Sequence, residues 1–68
     1  MRITYNEKTD LLYIRLDDTP QQVTNKRIDQ DIVLDLGADD RVVGIEILDA
    51  SKRLRLEQLL PVEYQKTA

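Results

Sequence analysis

The apolar residues in the first two thirds of the chain recur at every second position. Leu12, Ile14 and Leu16 alternate with other residues in one segment, and similar alternation returns in later segments. A period of two puts alternate side chains on one face of a β-strand. The pattern predicts strands within residues 2–48, near 3–5, 11–16, 32–36 and 41–48. Residues 22–28 are more polar, which is typical of an edge strand.

The segments between these strands contain residues that favour turns. Residues 6–10 and 37–40 are rich in Asn, Asp and Gly, which adopt the conformations of tight hairpins. Pro20 breaks the chain after the second strand, because proline cannot donate a hydrogen bond to a sheet. We therefore expect a small antiparallel, meander-like sheet of about five strands.

The period changes after Asp49. Ser51 is a suitable N-cap, and Leu56, Leu59 and Leu60 follow at the spacing of one helix face. The pattern predicts a helix at about residues 51–60, ended by Pro61, and a short tail at 61–68. So short a helix must pack against something to be stable, and the sheet is the expected support. The predicted fold class is α+β, in a single domain of residues 1–68.

Composition limits what such a domain can do. The 68 residues include no Cys and no His, so disulfides and the usual zinc sites are excluded and no cofactor is expected. The net charge of −3 does not favour nucleic acid as a partner. No apolar run approaches the roughly 20 residues of a membrane span, and the N-terminus does not resemble a secretory signal. We expect a cytoplasmic protein.

Both faces of the predicted sheet carry apolar residues. One set, which includes Leu12 and Ile45, is assigned to the core beneath the helix. One short helix cannot cover both faces, so the second set predicts an interface with a second copy or another protein. Shielding by sheet twist and by residues 62–64 is the alternative. The candidate interface residues are Leu11, Tyr13, Val33, Val42 and Leu48.

No residue pattern indicates an enzyme. Ser51 is the only serine, and there is no histidine to act as its base. The carboxylates lack the spacing of a known metal site, so no catalytic or metal-binding residue is predicted. Glu46 lies among apolar neighbours, where a cross-strand partner such as Arg15 would satisfy it. A hydrolase that uses carboxylates and a metal is the least favoured function.

Three cations lie at the start of the predicted helix. Positive charge is unfavourable there, because the free backbone amides already carry partial positive charge. The group therefore forms a candidate contact for a phosphate or an acidic partner. It comprises Ser51, Lys52, Arg53 and Arg55. The alternative is that carboxylates of the chain itself, Glu46, Asp49 and Glu57, supply the anion.

Several segments resemble one known family. They are residues 3–5, 10–16 and 32–35 and, most specifically, the Gly-Ile-Glu-Ile-Leu-Asp-Ala-Ser sequence at 44–51. Over residues 1–54 the chain is similar to the short prokaryotic proteins called domain of unknown function 2283. The resemblance implies a compact β-rich domain with a terminal helix, and it implies no activity. Some members are encoded beside small toxin-like proteins, so it also implies that an antitoxin role is conceivable.

Two functions are therefore expected. The first is a non-catalytic protein-interaction module that self-associates as a dimer, in an antitoxin-like version with a partner encoded nearby. The alternative is an accessory domain that binds RNA or another anion through the basic helix start. The salt dependence of binding distinguishes them, because phosphate contacts weaken steeply with salt.

Overall fold

The computed structural model describes residues 1–67, which form five strands and one short α-helix. The elements are β1 (Arg2–Asn6), β2 (Leu11–Arg15), β3 (Thr24–Asp29), β4 (Ile32–Leu36), β5 (Val42–Ile47) and α1 (Ala50–Arg53). Two 3-10 turns lie at Ala38–Asp40 and Leu56–Gln58. The predicted α+β class, a five-stranded antiparallel sheet followed by a helix, is confirmed. Ala68, the last residue of the predicted tail, lies outside the described residues.

The sheet has the order β1-β2-β5-β4-β3, and every neighbouring pair is antiparallel. The chain departs from a simple meander after β2, where residues 16–23 lead to the far edge of the sheet. β3 is an edge strand whose six residues are all exposed, as its polar sequence predicted. The more apolar β5 lies at the centre, where it pairs with both β2 and β4.

A bulge in β5 contributes to the small core. Asp35 pairs with Gly44 and Leu36 pairs with Val42, so Val43 is the additional residue between them. Val43 is 1% exposed, and its carbonyl accepts backbone hydrogen bonds from the start of the connecting segment that leads to β3. The bulge therefore fixes this connection to the central strand.

The predicted helix at residues 51–60 is wrong in its extent. α1 is a single turn with Asp49, in place of Ser51, at its N-cap, and Leu54 already has extended backbone angles. The leucines that follow lie in the 3-10 turn Leu56–Gln58 and just beyond it. Helix propensity favours a longer helix, but so short a segment needs tertiary packing, and cations at its start oppose the helix dipole.

The register divides the central side chains between two faces. The apolar face is formed by alternate residues of β1, β2, β4 and β5: Ile3, Tyr5, Leu12, Ile14, Ile32, Leu34, Ile45 and Ile47. The polar face, on the other side, carries Thr4, Leu11, Tyr13, Arg15, Asn25, Arg27, Val33, Asp35, Gly44 and Glu46. The C-terminal segment approaches the apolar face, where a groove of about 410 Å³ separates it from β1 and β2.

Candidate functional site

The start of α1 is occupied by an anion of the protein itself. The backbone N–H and the hydroxyl of Ser51 both donate to the carboxylate of Asp10, over 3.0 and 2.7 Å. The hydroxyl of Tyr5 donates to the same carboxylate over 2.8 Å. These hydrogen bonds, that of the Ser51 hydroxyl first, lower the pKa of Asp10. The turn between β1 and β2 is thereby joined to α1.

Arg53 connects α1 to the other hairpin. Its guanidinium lies 3.4 Å from the carboxylate of Asp29 and 3.2 Å from that of Asp31, on either side of the turn between β3 and β4. α1 therefore contacts the tips of both hairpins, which flank the end of β5. Lys52 and Arg55 are exposed.

Ser51 and Arg53, which belong to the predicted anion contact, thus bind different carboxylates of the chain itself. The carboxylates that meet the group are Asp10, Asp29 and Asp31, in place of the three that the sequence suggested. The structure brings Ser51 and Arg53 into contact with carboxylates of the chain itself, the charge of Lys52 also acts on Asp10, and Arg55 is exposed. Binding of an external anion at this group stays a prediction.

A hydrogen-bonded cluster occupies the centre of the polar face. Asp35, only 8% exposed, accepts hydrogen bonds from the hydroxyl of Tyr13 at 2.8 Å and from the amide of Asn25. The Tyr13 ring lies over Gly44, where an added methyl group would overlap the hydroxyl oxygen. A glycine inside a strand often marks so close an approach, and this was the signal in the sequence for a cluster that we did not predict.

Glu46 completes this cluster. Burial, followed by a hydrogen bond with Asp35 and the charge of Asp35, raises the pKa of Glu46, while Arg27 acts in the opposite direction. Glu46 on β5 and Asp35 on β4 lie on the same face of these neighbouring strands. Arg15, the partner suggested by the sequence, instead donates to the carbonyl of Asp17. The hydrogen bonds from Tyr13 and Asn25 hold the carboxylate of Asp35 in a fixed position.

The predicted interface residues do not form one uncovered patch. Leu11, Tyr13 and Val33 lie on the polar face, where Val33 is 9% exposed and Tyr13 belongs to the cluster. Val42, 40% exposed, begins β5, whereas Leu48 follows its other end. Their role in an interface stays a prediction, and the geometry does not favour this set.

Three partly buried residues form the centre of the apolar face. Ile14, Ile45 and Leu34 are directly opposite one another on β2, β5 and β4, and they form the central row. All three are only partly buried. Leu12, Ile47 and Ile32 form a parallel row, in which Leu12 is fully buried. The C-terminal segment lines a groove together with Ile3 and Leu12.

Neither a group of metal ligands nor a membrane-spanning helix is present in residues 1–67. Within residues 1–67, no three His, Cys, Asp or Glu side chains are grouped so that they could hold a metal ion. The same residues include no helix long and apolar enough to cross a membrane.

These features define a single-layer antiparallel sheet domain with a helical turn that joins its two hairpins at one end. The profile of the family described as Protein of unknown function (DUF2283) matches residues 2–51, and the chain belongs to that family. The matched part contains all five strands and both members of the Asp10 and Ser51 contact. Searches of curated proteins and of solved structures found no match.

Proposed function

We propose that the protein is a cytoplasmic, non-catalytic interaction module that associates with a second copy through its apolar face. The supporting observation is the central row of Ile14, Ile45 and Leu34, which crosses three strands and is only partly buried in the single chain. A contiguous apolar surface of this kind is characteristic of an interaction site. Sheets with an apolar face normally bury it against a second layer.

The surface area supports this proposal. The chain exposes 5702 Å², whereas a compact monomer of its mass would expose about 4,400 Å². The radius of gyration is 13.0 Å, against about 11 Å for a compact domain of this length. A standard protein interface buries about 800 Å² on each partner, which is less than the excess surface. A second copy can therefore remove the excess.

The chemistry of the two faces favours the apolar one as the interface. Further burial of Ile14, Leu34 and Ile45 contributes hydrophobic free energy, about 25 cal/mol per Å² of apolar surface. Burial of the polar face would instead desolvate Arg27 and Glu46, whose charges are costly to remove from water. A symmetric dimer that uses the same patch on both copies closes without leaving an open surface.

Analytical ultracentrifugation over a concentration series tests the proposal. We expect dimers at micromolar concentration, and we expect Ile45→Lys to shift the equilibrium to monomer because it places a charge in the central row. Thr4→Lys, on the exposed part of the opposite face, is the matched control and should leave the dimer intact. Circular dichroism must show that both variants remain folded. A wild-type chain that is monomeric throughout the series would refute the proposal.

The other functions have less structural support. A version in which the apolar face covers a small toxin-like protein remains within this proposal, and a stable dimer that such a protein does not disrupt would count against it. The anion-binding alternative is not favoured, because Asp10 occupies the donors of Ser51 and Asp31 pairs with Arg53.

A further inference from the structure

The C-terminal arm, residues 60–67, has an apolar pattern without a partner. Leu60, Val62 and Tyr64 are 68%, 52% and 88% exposed. Pro61 and Glu63 separate these residues along the chain, and the backbone bends at Pro61. Exposure of three large apolar side chains in so short a segment indicates a contact that the single chain does not make.

The backbone of the arm is also unpaired. In the part of the chain that the structure describes, the last backbone hydrogen bond between loops and turns joins the N–H of Leu59 to the carbonyl of Leu56. No helix or strand is present in residues 60–67. The arm can therefore take a new position without breaking an element of the fold.

The arm starts beside the apolar face. Leu59 and Leu60 line the groove together with Ile3 and Leu12, at the side of β1 and β2. Eight extended residues span about 26 Å, whereas three neighbouring strands span only about 10 Å. The arm is thus long enough to cross an apolar face. In the single chain it does not cross its own, since its apolar side chains stay exposed.

We propose that the arm of each copy lies across the apolar face of the other copy in the dimer, with Val62 and Tyr64 against the central row. This inference rests on the proposed self-association and names the segment that completes the interface. The exchange is reciprocal, so both arms and both faces lose their exposed apolar surface together. It also accounts for the excess surface, part of which belongs to the arm itself.

Single cysteines can test the exchange directly, because the natural chain has none. Val62→Cys in one copy and Leu34→Cys in a mass-tagged copy should form a mixed disulfide when the two are mixed and oxidised. Val62→Cys mixed with Thr4→Cys is the control, which should cross-link much less because Thr4 lies on the opposite face. Mass spectrometry identifies the linked peptides. Equal cross-linking to both positions would refute the inference.

The double variant Val62→Cys and Leu34→Cys distinguishes an arm that lies on the apolar face of the other copy from an arm that folds back onto the apolar face of its own chain. Exchange predicts disulfides between chains, even at low protein concentration where the dimer still exists. Disulfides only within one chain would show that the arm covers its own face, and they would overturn the exchange.

A second measurement uses no cysteine. The double substitution Val62→Ser and Tyr64→Ser should weaken the dimer about tenfold or more, because it removes two apolar side chains from the interface. The circular dichroism spectrum should be unchanged, since the arm forms no regular element. If the wild type is a dimer and this variant dimerises equally well, the exchange is wrong and the self-association stands. If the wild type is a monomer, the self-association itself is wrong.

Discussion

Gly44→Ala is the substitution that best tests the cluster on the polar face. Glycine inside a strand is normally less stable than alanine by about 0.5–1 kcal/mol, so the change alone should stabilise β5. The structure predicts the opposite result. The new methyl group would overlap the Tyr13 hydroxyl oxygen and lie 2.8 Å from the ring carbon that bears it. Tyr13 must therefore move.

Movement of Tyr13 has a cost that can be estimated. Its hydrogen bond to the carboxylate of Asp35 would be broken or weakened, and hydrogen bonds to charged groups contribute about 1.5–3 kcal/mol. Asp35 is only 8% exposed, so water cannot readily replace the lost donor. After subtraction of the intrinsic gain, we expect Gly44→Ala to lower the free energy of unfolding by about 0.5–2.5 kcal/mol.

Urea unfolding at one fixed protein concentration measures this change, because the proposed dimerisation would make the stability depend on concentration. The control is Gly37→Ala, whose methyl group would meet the flexible end of the exposed Gln21 side chain and lie 3.0 Å from a methyl group of Val43. The same Gly44→Ala change in a Tyr13→Ala background should be neutral or stabilising, which gives a positive coupling energy. If Gly44→Ala stabilises the wild type, or has the same effect in both backgrounds, Tyr13 does not lie over Gly44 as described.

Three further predictions concern other contacts. Because the pKa of Glu46 is raised, the protonated Glu46 side chain stabilises the fold fully below the ordinary pKa of 4.5, and this contribution is lost as the pH rises through the raised pKa. In urea unfolding at a series of pH values, Glu46→Gln should flatten this part of the profile. Leu12→Ala should lower the free energy of unfolding by about 2–5 kcal/mol because Leu12 is fully buried, and Leu56→Ala should lower it less because Leu56 is half-buried. Equal shifts in melting temperature for the two variants would contradict the assigned positions. Arg53→Gln should cost only about 0.2–1 kcal/mol, since its ion pairs are exposed, and the difference should shrink in high salt.

The sequence determined the elements whose signals are local. The period of two in residues 11–16 and 32–36 depends only on neighbouring positions, and it predicted the strands. The polar composition of β3 predicted an edge, because charged residues are tolerated where one side of a strand faces water. The turn at residues 37–40 was also predicted, and Asp39 and Asp40 there have the positive φ angles that aspartate tolerates.

Only the tertiary structure decided the features that depend on distant segments. Asp10 and Ser51 are 41 positions apart, and their contact arises because β5 lies between the two hairpins. The cluster around Asp35 likewise requires the register of β2, β4 and β5, which no local pattern specifies. Helix propensity over residues 51–60 is a weak preference that needs tertiary packing, and the helix ends after one turn at Arg53. With the helix limited to one turn, the central row of Ile14, Ile45 and Leu34 is only partly buried.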